Sequence, residues 1–138
     1  MKKLKFGRYR VEQLTFNQED DFYDEESIKI SMGSHVELID EESAVVSIIC
    51  GLESEDEKFN LFIRVSGEFL VEDDGSTENI TGITNEMLLR RNSISILFPY
   101  VRSAVSQVTS IGYNAPIVLP PINVLEFIDK SKEEEPEK

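Results

Sequence analysis

Apolar and polar residues alternate with a period of two along the first half of the chain, which is typical of strands with one buried face. The clearest alternation lies in residues 28–38, where the apolar positions are Ile28, Ile30, Met32, Val36 and Leu38. The same period returns in residues 59–71. Acidic clusters separate these segments, and they predict turns because carboxylates are poor strand residues. The first half therefore predicts a meander of strands.

Two further segments refine this prediction. Residues 44–52 are rich in Val and Ile at both parities, which predicts a strand that is covered on both faces. Near the N-terminus, Tyr9 and Val11 share one parity, whereas Leu14 and Phe16 share the other. Such a break in the alternation predicts a bulge or a bend.

The second half of the chain changes to steps of three and four, which indicate an amphipathic helix. Its apolar positions are Ile94, Leu97, Val101, Val105, Val108 and Ile111. Pro99 must lie near the first turn of this helix or kink it, and Gly112 is a natural end. A shorter helical segment, residues 85–91, is expected to precede it. Small residues on the flanks of the long helix permit close approach of another element.

The C-terminal part combines an extended segment with a short helix. Three prolines in residues 113–122 exclude a helix there and favour extended backbone. Asn123 followed by Glu126 is typical of a helix start, because the Asn side chain caps the first turn. Residues 131–138 are highly charged and predict a disordered acidic tail, which follows a single domain of residues 1–130.

Charge limits the kinds of partner. The chain has 138 residues, with 14 Lys and Arg against 27 Asp and Glu and a formal net charge of −13. This balance argues against nucleic acid, because phosphate binding needs a surplus of cations at the contact, and it favours a basic partner. No apolar run of the sequence approaches the roughly 20 residues that span a bilayer. With a single cysteine and no apolar signal segment, we expect a cytoplasmic protein without membrane insertion.

Residues that could carry catalysis or bind metal are few. The one histidine, His35, falls on the polar parity of a strand and is expected at the surface, and Cys50 is expected to be a buried thiol. The sequence has no Cys or His spacing for zinc and no Gly-rich phosphate loop. We therefore expect neither an enzyme nor a cofactor. The abundant apolar surface instead suggests subunit interfaces and a groove for extended peptide, with an ordinary core as the alternative.

Three motifs carry a resemblance to a known family. They are Leu-Phe-Pro-Tyr-Val-Arg at residues 97–102, Gly-Tyr at 112–113 and Leu-Pro-Pro-Ile-Asn at 119–123. In order and spacing, residues 94–125 resemble the protein-export chaperone SecB, although Val101 departs from the family's usual Ala. The resemblance implies an α+β fold with a four-stranded antiparallel sheet, a long helix, an extended proline-rich connection and a short C-terminal helix.

The resemblance also implies a function. It implies an ATP-independent chaperone, or holdase, that binds unfolded preproteins and keeps them translocation-competent, as a homotetramer built as a dimer of dimers. The client-binding residues suggested by parity and by the resemblance are Ile28, Ile30, Met32, Tyr113, Ile117 and Leu119. The expected oligomer interface consists of Val101, Ser103, Ala104, Ser106 and Val108. The alternatives for the client-binding set are that these residues belong to the ordinary hydrophobic core or to a subunit interface.

The resemblance would make the motor SecA a partner, but the sequence departs from the family here. In the family, carboxylates on the first and fourth strands help to dock SecA. In this chain the corresponding positions of the first strand are Gln13 and Asn17, and the position of the fourth strand is Phe62 or Arg64. This departure argues against SecA docking, although other acids are close. One alternative is a SecB-like chaperone that protects an antitoxin from aggregation and proteolysis. Another is an adaptor domain that binds one folded partner.

Overall fold

A four-stranded antiparallel sheet forms one layer of the protein, and helical segments form the other. The strands are β1 (Lys2–Gln18), β2 (Ile28–Leu38), β3 (Ser43–Ser54) and β4 (Phe59–Asp73). The helical segments are α1 (Asn85–Met87), a π-helical turn (Leu88–Asn92), α2 (Ser93–Thr109) and α3 (Val124–Glu134). The computed structural model describes residues 2–20, 28–73, 84–111, 116–119 and 123–134, the last five of these by their backbone only. None of the helices in these ranges is long and apolar enough to cross a membrane.

The spatial order of the strands is β1-β4-β3-β2, so that β1 and β2 form the two edges. Two of the acidic clusters, residues 40–42 and 55–57, form turns of the meander, as predicted, whereas Glu72 and Asp73 belong to the end of β4. The Glu42 N–H donates to Asp40 Oδ1 over 2.8 Å between β2 and β3, and the Lys58 N–H donates to Asp56 Oδ1 over 3.1 Å between β3 and β4. Hydrogen bonds to an ionised carboxylate lower its pKa. The Glu42 N–H is the largest cause of the lowered pKa of Asp40, and the Ser54 hydroxyl, followed by the Lys58 N–H, lowers the pKa of Asp56.

The two faces of the sheet differ in cover. The helix-covered face carries the even-numbered residues of β3, including Val46, Ile48 and Cys50, all of which are fully buried. The opposite face, called the open face below, has no described helix on it. On the open face, Val45 and Ile49 are half-buried and Ser47 is buried. Among the described residues only one face of β3 is covered by helices, and cover of the other face stays a prediction.

β1 contains the predicted irregularity. Its register with β4 shifts between Phe6 and Tyr9 and again between Val11 and Gln13. The first shift lies beside Tyr100 of α2, whose ring centroid is 5.2 Å from that of Phe6 and 4.3 Å from that of Tyr9. Beyond this contact Val11 and Leu14 are 45% and 46% exposed, whereas Phe16 packs against the core, with its ring centroid 5.5 Å from that of Phe59.

The long helix begins earlier than its apolar periodicity indicates. Residues 85–109 are helical without a break, and the π-helical turn joins the predicted short segment to α2. Pro99 lies at the seventh residue of α2, inside the helix and not in its first turn. The buried side chains of α2 include Ile94, Leu97, Val101 and Val105, which confirms the steps of three and four. Gly112 lies outside the described residues.

α3 begins as the sequence predicts. The Glu126 N–H donates to the Asn123 side-chain oxygen over 3.2 Å, so Asn123 caps the helix. Val124 and Ile128 are buried against the core, and α3 packs against β2 and α2. The helix extends to Glu134, so it includes the first four residues of the segment that was predicted as a disordered tail. Residues 135–138 lie outside the described residues.

Candidate functional site

The six residues predicted to bind clients are mostly packed against the core. Met32 is 5% exposed and Leu119 is fully buried, so neither offers a free side chain. Three further residues of the set are half-buried and pack against the core cluster: Ile28, Ile30 and Ile117. Tyr113 lies outside the described residues. Client binding at these positions stays a prediction, and among the members of the set that the structure describes the three isoleucines are the accessible ones.

The five predicted interface residues lie on several sides of α2. Val101 is fully buried in the core of this chain, and it has no surface to offer to another copy. Ser103 is exposed, whereas Ala104, Ser106 and Val108 are half-buried. The prediction of a subunit interface stays open for these four residues.

Hydrogen bonds link the extended connection, described at residues 116–119, to α2. The Ser106 hydroxyl donates to the carbonyl oxygen of Ile117 over 3.0 Å, and the Ile117 N–H donates to the Thr109 hydroxyl oxygen over 2.8 Å. The Nε of Arg102 donates to the carbonyl oxygen of Leu119 over 2.8 Å. The polar residues of α2 therefore satisfy the backbone of the connection, which cannot pair its own groups because it is neither helix nor strand.

A cavity of about 620 Å³ opens where β2, the π-helical turn and α3 meet. Its apolar lining consists of Val36, Met87, Ile94, Leu125 and Ile128. Met87 is 47% exposed, and its unbranched, polarizable side chain can adapt to apolar groups of different shapes. A second hollow, of about 460 Å³, lies between α2 and α3 on another side of Leu125. The N-terminal half of α3 thus separates two hollows.

Charged side chains surround the larger cavity. Arg90 Nε lies 3.0 Å from Glu86 Oε1 within the helical segment, and an Nη of Arg91 lies 3.3 Å from Oδ2 of Asp129 on α3. His35 of β2 also lines the cavity and is exposed, as its polar parity predicted. The cavity therefore combines an apolar floor with a charged rim. This rim, formed by Glu86, Arg90, Arg91 and Asp129, is called the arginine rim below.

Sequence reasoning missed this cavity. It assigned the adaptable methionine contact to Met32, whereas the exposed methionine is Met87. The alternation in β2 correctly placed Met32 on an apolar face, but that face is the core. A signal for Met87 existed, since Arg90 and Arg91 follow it three and four residues later in the predicted helical segment, on the same side of a helix. Its position over β2 depends on a long-range packing contact that periodicity does not encode.

The open face carries a polar cluster between β1, β3 and β4. Glu12 Oε2 lies 3.4 Å from Arg64 Nε and Glu12 Oε1 lies 3.3 Å from an Nη of Arg10. The Ser66 hydroxyl and these two arginines lower the pKa of Glu12, the hydrogen bond of Ser66 being the largest cause. Ser47 and Ser66 are 2.8 Å apart at their hydroxyl oxygens and are both buried. The carboxylate nearest to the expected SecA-docking positions is thus held in ion pairs.

Chemistry of catalytic or metal-binding type has little support in the described part of the chain. Burial raises the pKa of the Cys50 thiol to about 12, which makes it a poor nucleophile. Within the described ranges, no group of His, Cys, Asp and Glu side chains is arranged to hold a metal ion.

The architecture defines the class: an α+β protein whose antiparallel sheet is covered on one face by a long helix and a shorter one. The SecB-like chaperone Rv1957 of Mycobacterium tuberculosis, solved with a ChAD peptide from the antitoxin HigA1, superposes with a TM-score of 0.65. The match covers 86% of this chain and 87% of that chain at 15% identity. The chain therefore has the SecB-like fold, as the resemblance implied.

Other comparisons add relatives whose roles are not known. A protein of unknown function from Streptococcus agalactiae gives a TM-score of 0.50 at 11% identity over 87% of this chain and 98% of that chain. An uncharacterized protein of Methanocaldococcus jannaschii, MJ0357, is 48% identical over 50 residues. That match spans 34% of this chain and only 32% of the relative's own length. No family model matches the sequence.

Proposed function

We propose that this protein is an ATP-independent holdase that binds unfolded polypeptide segments at the cavity between β2, the π-helical turn and α3. The observation that carries the proposal is an open cavity with an apolar floor and an exposed methionine, in a chain with the SecB-like fold. A partner that binds only unfolded chains withdraws them from the folding equilibrium by mass action. Such binding needs no cofactor and no chemical step.

The cavity suits clients of varied sequence. Its floor is apolar, and a flexible side chain such as Met87 adapts to different partners better than a branched one does. Away from the cavity, the connection exposes Val118 at 67% and the end of the long helix exposes Ile111 at 82%. Ile111 lies about 25 Å along the helix direction from the cavity residue Ile94. An extended client could therefore find further apolar contacts after leaving the cavity.

A homotetramer, built as a dimer of dimers, forms part of the proposal. β1 is an edge strand of 17 residues, with Tyr9, Val11 and Leu14 about half exposed on its helix-covered side. A long edge strand with exposed apolar residues is an aggregation hazard unless another chain covers it. Several cavities in one assembly would also bind a long client more tightly than a single cavity does.

The client class has two candidates. Export of preproteins requires delivery to a motor, and the Glu12 carboxylate at the expected docking region is neutralised by two arginines. Protection of an antitoxin requires no motor, and the neighbour Rv1957 was solved with an antitoxin peptide. We favour an antitoxin as the biological client among the unfolded segments that the cavity can bind, and we keep preprotein export, with SecA as partner, as the second candidate.

Aggregation assays test the holdase proposal. Several unrelated proteins are diluted from denaturant with and without the chaperone, in the absence of ATP, and light scattering is followed. We expect suppression of scattering, which Met87→Glu weakens strongly. Leu70→Glu on the open face is the matched control, because Leu70 is 40% exposed and lies away from the cavity. If both variants still suppress aggregation, the client site lies elsewhere. If the protein binds only one folded partner and no unfolded chain, the adaptor alternative is favoured.

A binding assay with purified SecA separates the two client classes. The protein is immobilised and exposed to SecA and to a trapped precursor. Binding of the precursor without SecA supports a role outside export, whereas binding of both supports the export role.

A further inference from the structure

The arginine rim brings two consecutive guanidinium groups to one cavity. Arg90 and Arg91 belong to the π-helical turn, while Leu88 and Leu89 of the same turn are buried in the core. Short π-helical turns within helices are frequent at functional sites. This turn anchors its leucines in the core and places both arginine side chains at the mouth of the cavity.

Both guanidinium groups have hydrogen-bonding capacity to spare. An arginine has five N–H donors, and each ion pair described above uses one nitrogen, Nε of Arg90 and an Nη of Arg91. The side chains of Arg90 and Arg91 are 44% and 51% exposed. The planar fork of a guanidinium matches the two oxygens of a carboxylate. Both side chains are therefore accessible to an incoming carboxylate.

The internal carboxylates hold these arginines only weakly. The Glu86 side chain is 71% exposed and the Asp129 side chain is 50% exposed, and ion pairs between solvent-exposed groups contribute little to stability. A client carboxylate that arrives with an apolar anchor can share or displace them, because burial of the apolar group supplies additional binding free energy.

The rim also differs in charge from the rest of the molecule. The chain carries a formal net charge of −13, yet the carboxylates and guanidinium groups that line this cavity are two of each, so their formal charges cancel. Local contacts at the rim can thus favour an anion even though the field of the whole chain favours cations.

We propose that the cavity selects client segments in which an acidic side chain stands next to an apolar one. The apolar side chain occupies the floor beside Met87, and the carboxylate is bound by Arg90 and Arg91. This specificity rests on the proposed holdase function, and it is opposite to the preference for basic segments that the net charge alone predicts.

Peptide binding to the full chain tests the inference. Three labelled peptides share one apolar centre and carry Glu, Gln or Lys at the same flanking positions, and their affinities are measured by fluorescence anisotropy. We expect the Glu peptide to bind about tenfold more tightly than the Gln peptide. This advantage should shrink as salt is raised, because salt screens exposed charges.

Three variants identify the residues. Arg90→Gln should lower the affinity for the Glu peptide several-fold and leave the affinity for the Gln peptide unchanged. Glu86→Gln should raise the affinity for the Glu peptide, because it frees Arg90. Arg8→Gln is the matched control, since Arg8 undergoes the same charge change and its side chain is 90% exposed beside Glu68 of β4, away from the cavity. Thermal unfolding of each variant verifies that it is folded.

The outcomes separate this inference from the holdase proposal. If the Gln peptide binds and the Glu peptide binds no tighter, or if the Lys peptide binds best, the inference is wrong while the holdase proposal stands. If no peptide binds the wild-type protein and aggregation is not suppressed, both are wrong.

Discussion

The Nε of Arg102 lies 2.8 Å from the carbonyl oxygen of Leu119 and donates a hydrogen bond to it. This bond links the last residue of the Leu-Phe-Pro-Tyr-Val-Arg motif to the first residue of the Leu-Pro-Pro-Ile-Asn motif. Two of the three motifs that carried the resemblance are thus joined directly. The bond between Arg102 and Leu119 stabilises the connection between α2 and α3.

Replacement of Arg102 by Met should loosen the connection. We expect a loss of about 1.5 kcal/mol in the free energy of unfolding, because the variant keeps a long aliphatic stem but removes a charged hydrogen-bond donor. Urea unfolding measures the loss, and amide hydrogen exchange at residues 117–119 locates it. Ser103→Ala, at the next residue of the same helix and exposed, is the control. Unchanged exchange at these residues would contradict the assigned role.

Cys50 should be unreactive in the folded protein. Its side chain is fully buried and its pKa is raised from 9.0 to about 12, so very little thiolate is present at pH 8. We expect a thiol reagent to modify the native protein at least about a hundredfold more slowly than the protein in denaturant. Rapid modification under native conditions would mean that the core opens frequently around β3.

The turn between β3 and β4 should make stability depend on pH in the acid range. The Ser54 hydroxyl, followed by the Lys58 N–H, lowers the pKa of Asp56 below 3.8. A depressed carboxyl pKa contributes stability above the unfolded-state value, and this contribution is lost as the pH falls through the folded-state value. Asp56→Asn should therefore be less stable than wild type at pH 7 and should lose less stability on acidification.

Urea unfolding at pH 7 and at pH 3 checks this prediction. Glu55→Gln is a control, because the neighbouring carboxylate lies in the same turn and has only a 4.0 Å contact with Lys29. If Asp56→Asn and wild type differed equally at both pH values, the hydrogen bonds to the carboxylate would not be the cause.

The rings of Tyr9 and Tyr100 should stabilise the contact between β1 and α2. Their centroids are 4.3 Å apart and their planes are tilted by 43°, and aromatic pairs contribute about 0.5–1.5 kcal/mol beyond the area that they bury. A double-mutant cycle with Tyr9→Leu and Tyr100→Leu should give a coupling energy in this range. Leu14 lies further along β1, and a cycle that combines Leu14→Ala with Tyr100→Leu should give little coupling.

The sequence predicted well those features that depend on local patterns. Alternation located the strands, a change of parity located the irregularity in β1, and Asn123 with Glu126 located the start of α3. The SecB-like fold itself followed from motifs whose spacing reflects the bond between Arg102 and Leu119. These features depend on residues that are close in sequence or on a few fixed side-chain contacts.

Features that depend on which face meets which element could not be predicted. The apolar parity of β2 was correct, but periodicity does not distinguish a core face from a binding face, so Met32 was assigned to clients and is buried. In the same way, the Val and Ile at both parities of residues 44–52 do not show what covers each face: the even-numbered residues meet the helices, whereas Val45 and Ile49 on the open face are half-buried. The arginine rim requires the packing of three separate elements, which no single segment specifies.

The strand order β1-β4-β3-β2 places the long exposed edge and the arginine-rimmed cavity at opposite margins of the sheet. Three strand spacings, about 14 Å in total, separate the two margins. Another copy of the chain that pairs with β1 would leave the cavity beside β2 unobstructed. Occupancy by a client and association of subunits would then be independent equilibria, so the affinity for a short peptide should not vary with the concentration of the protein.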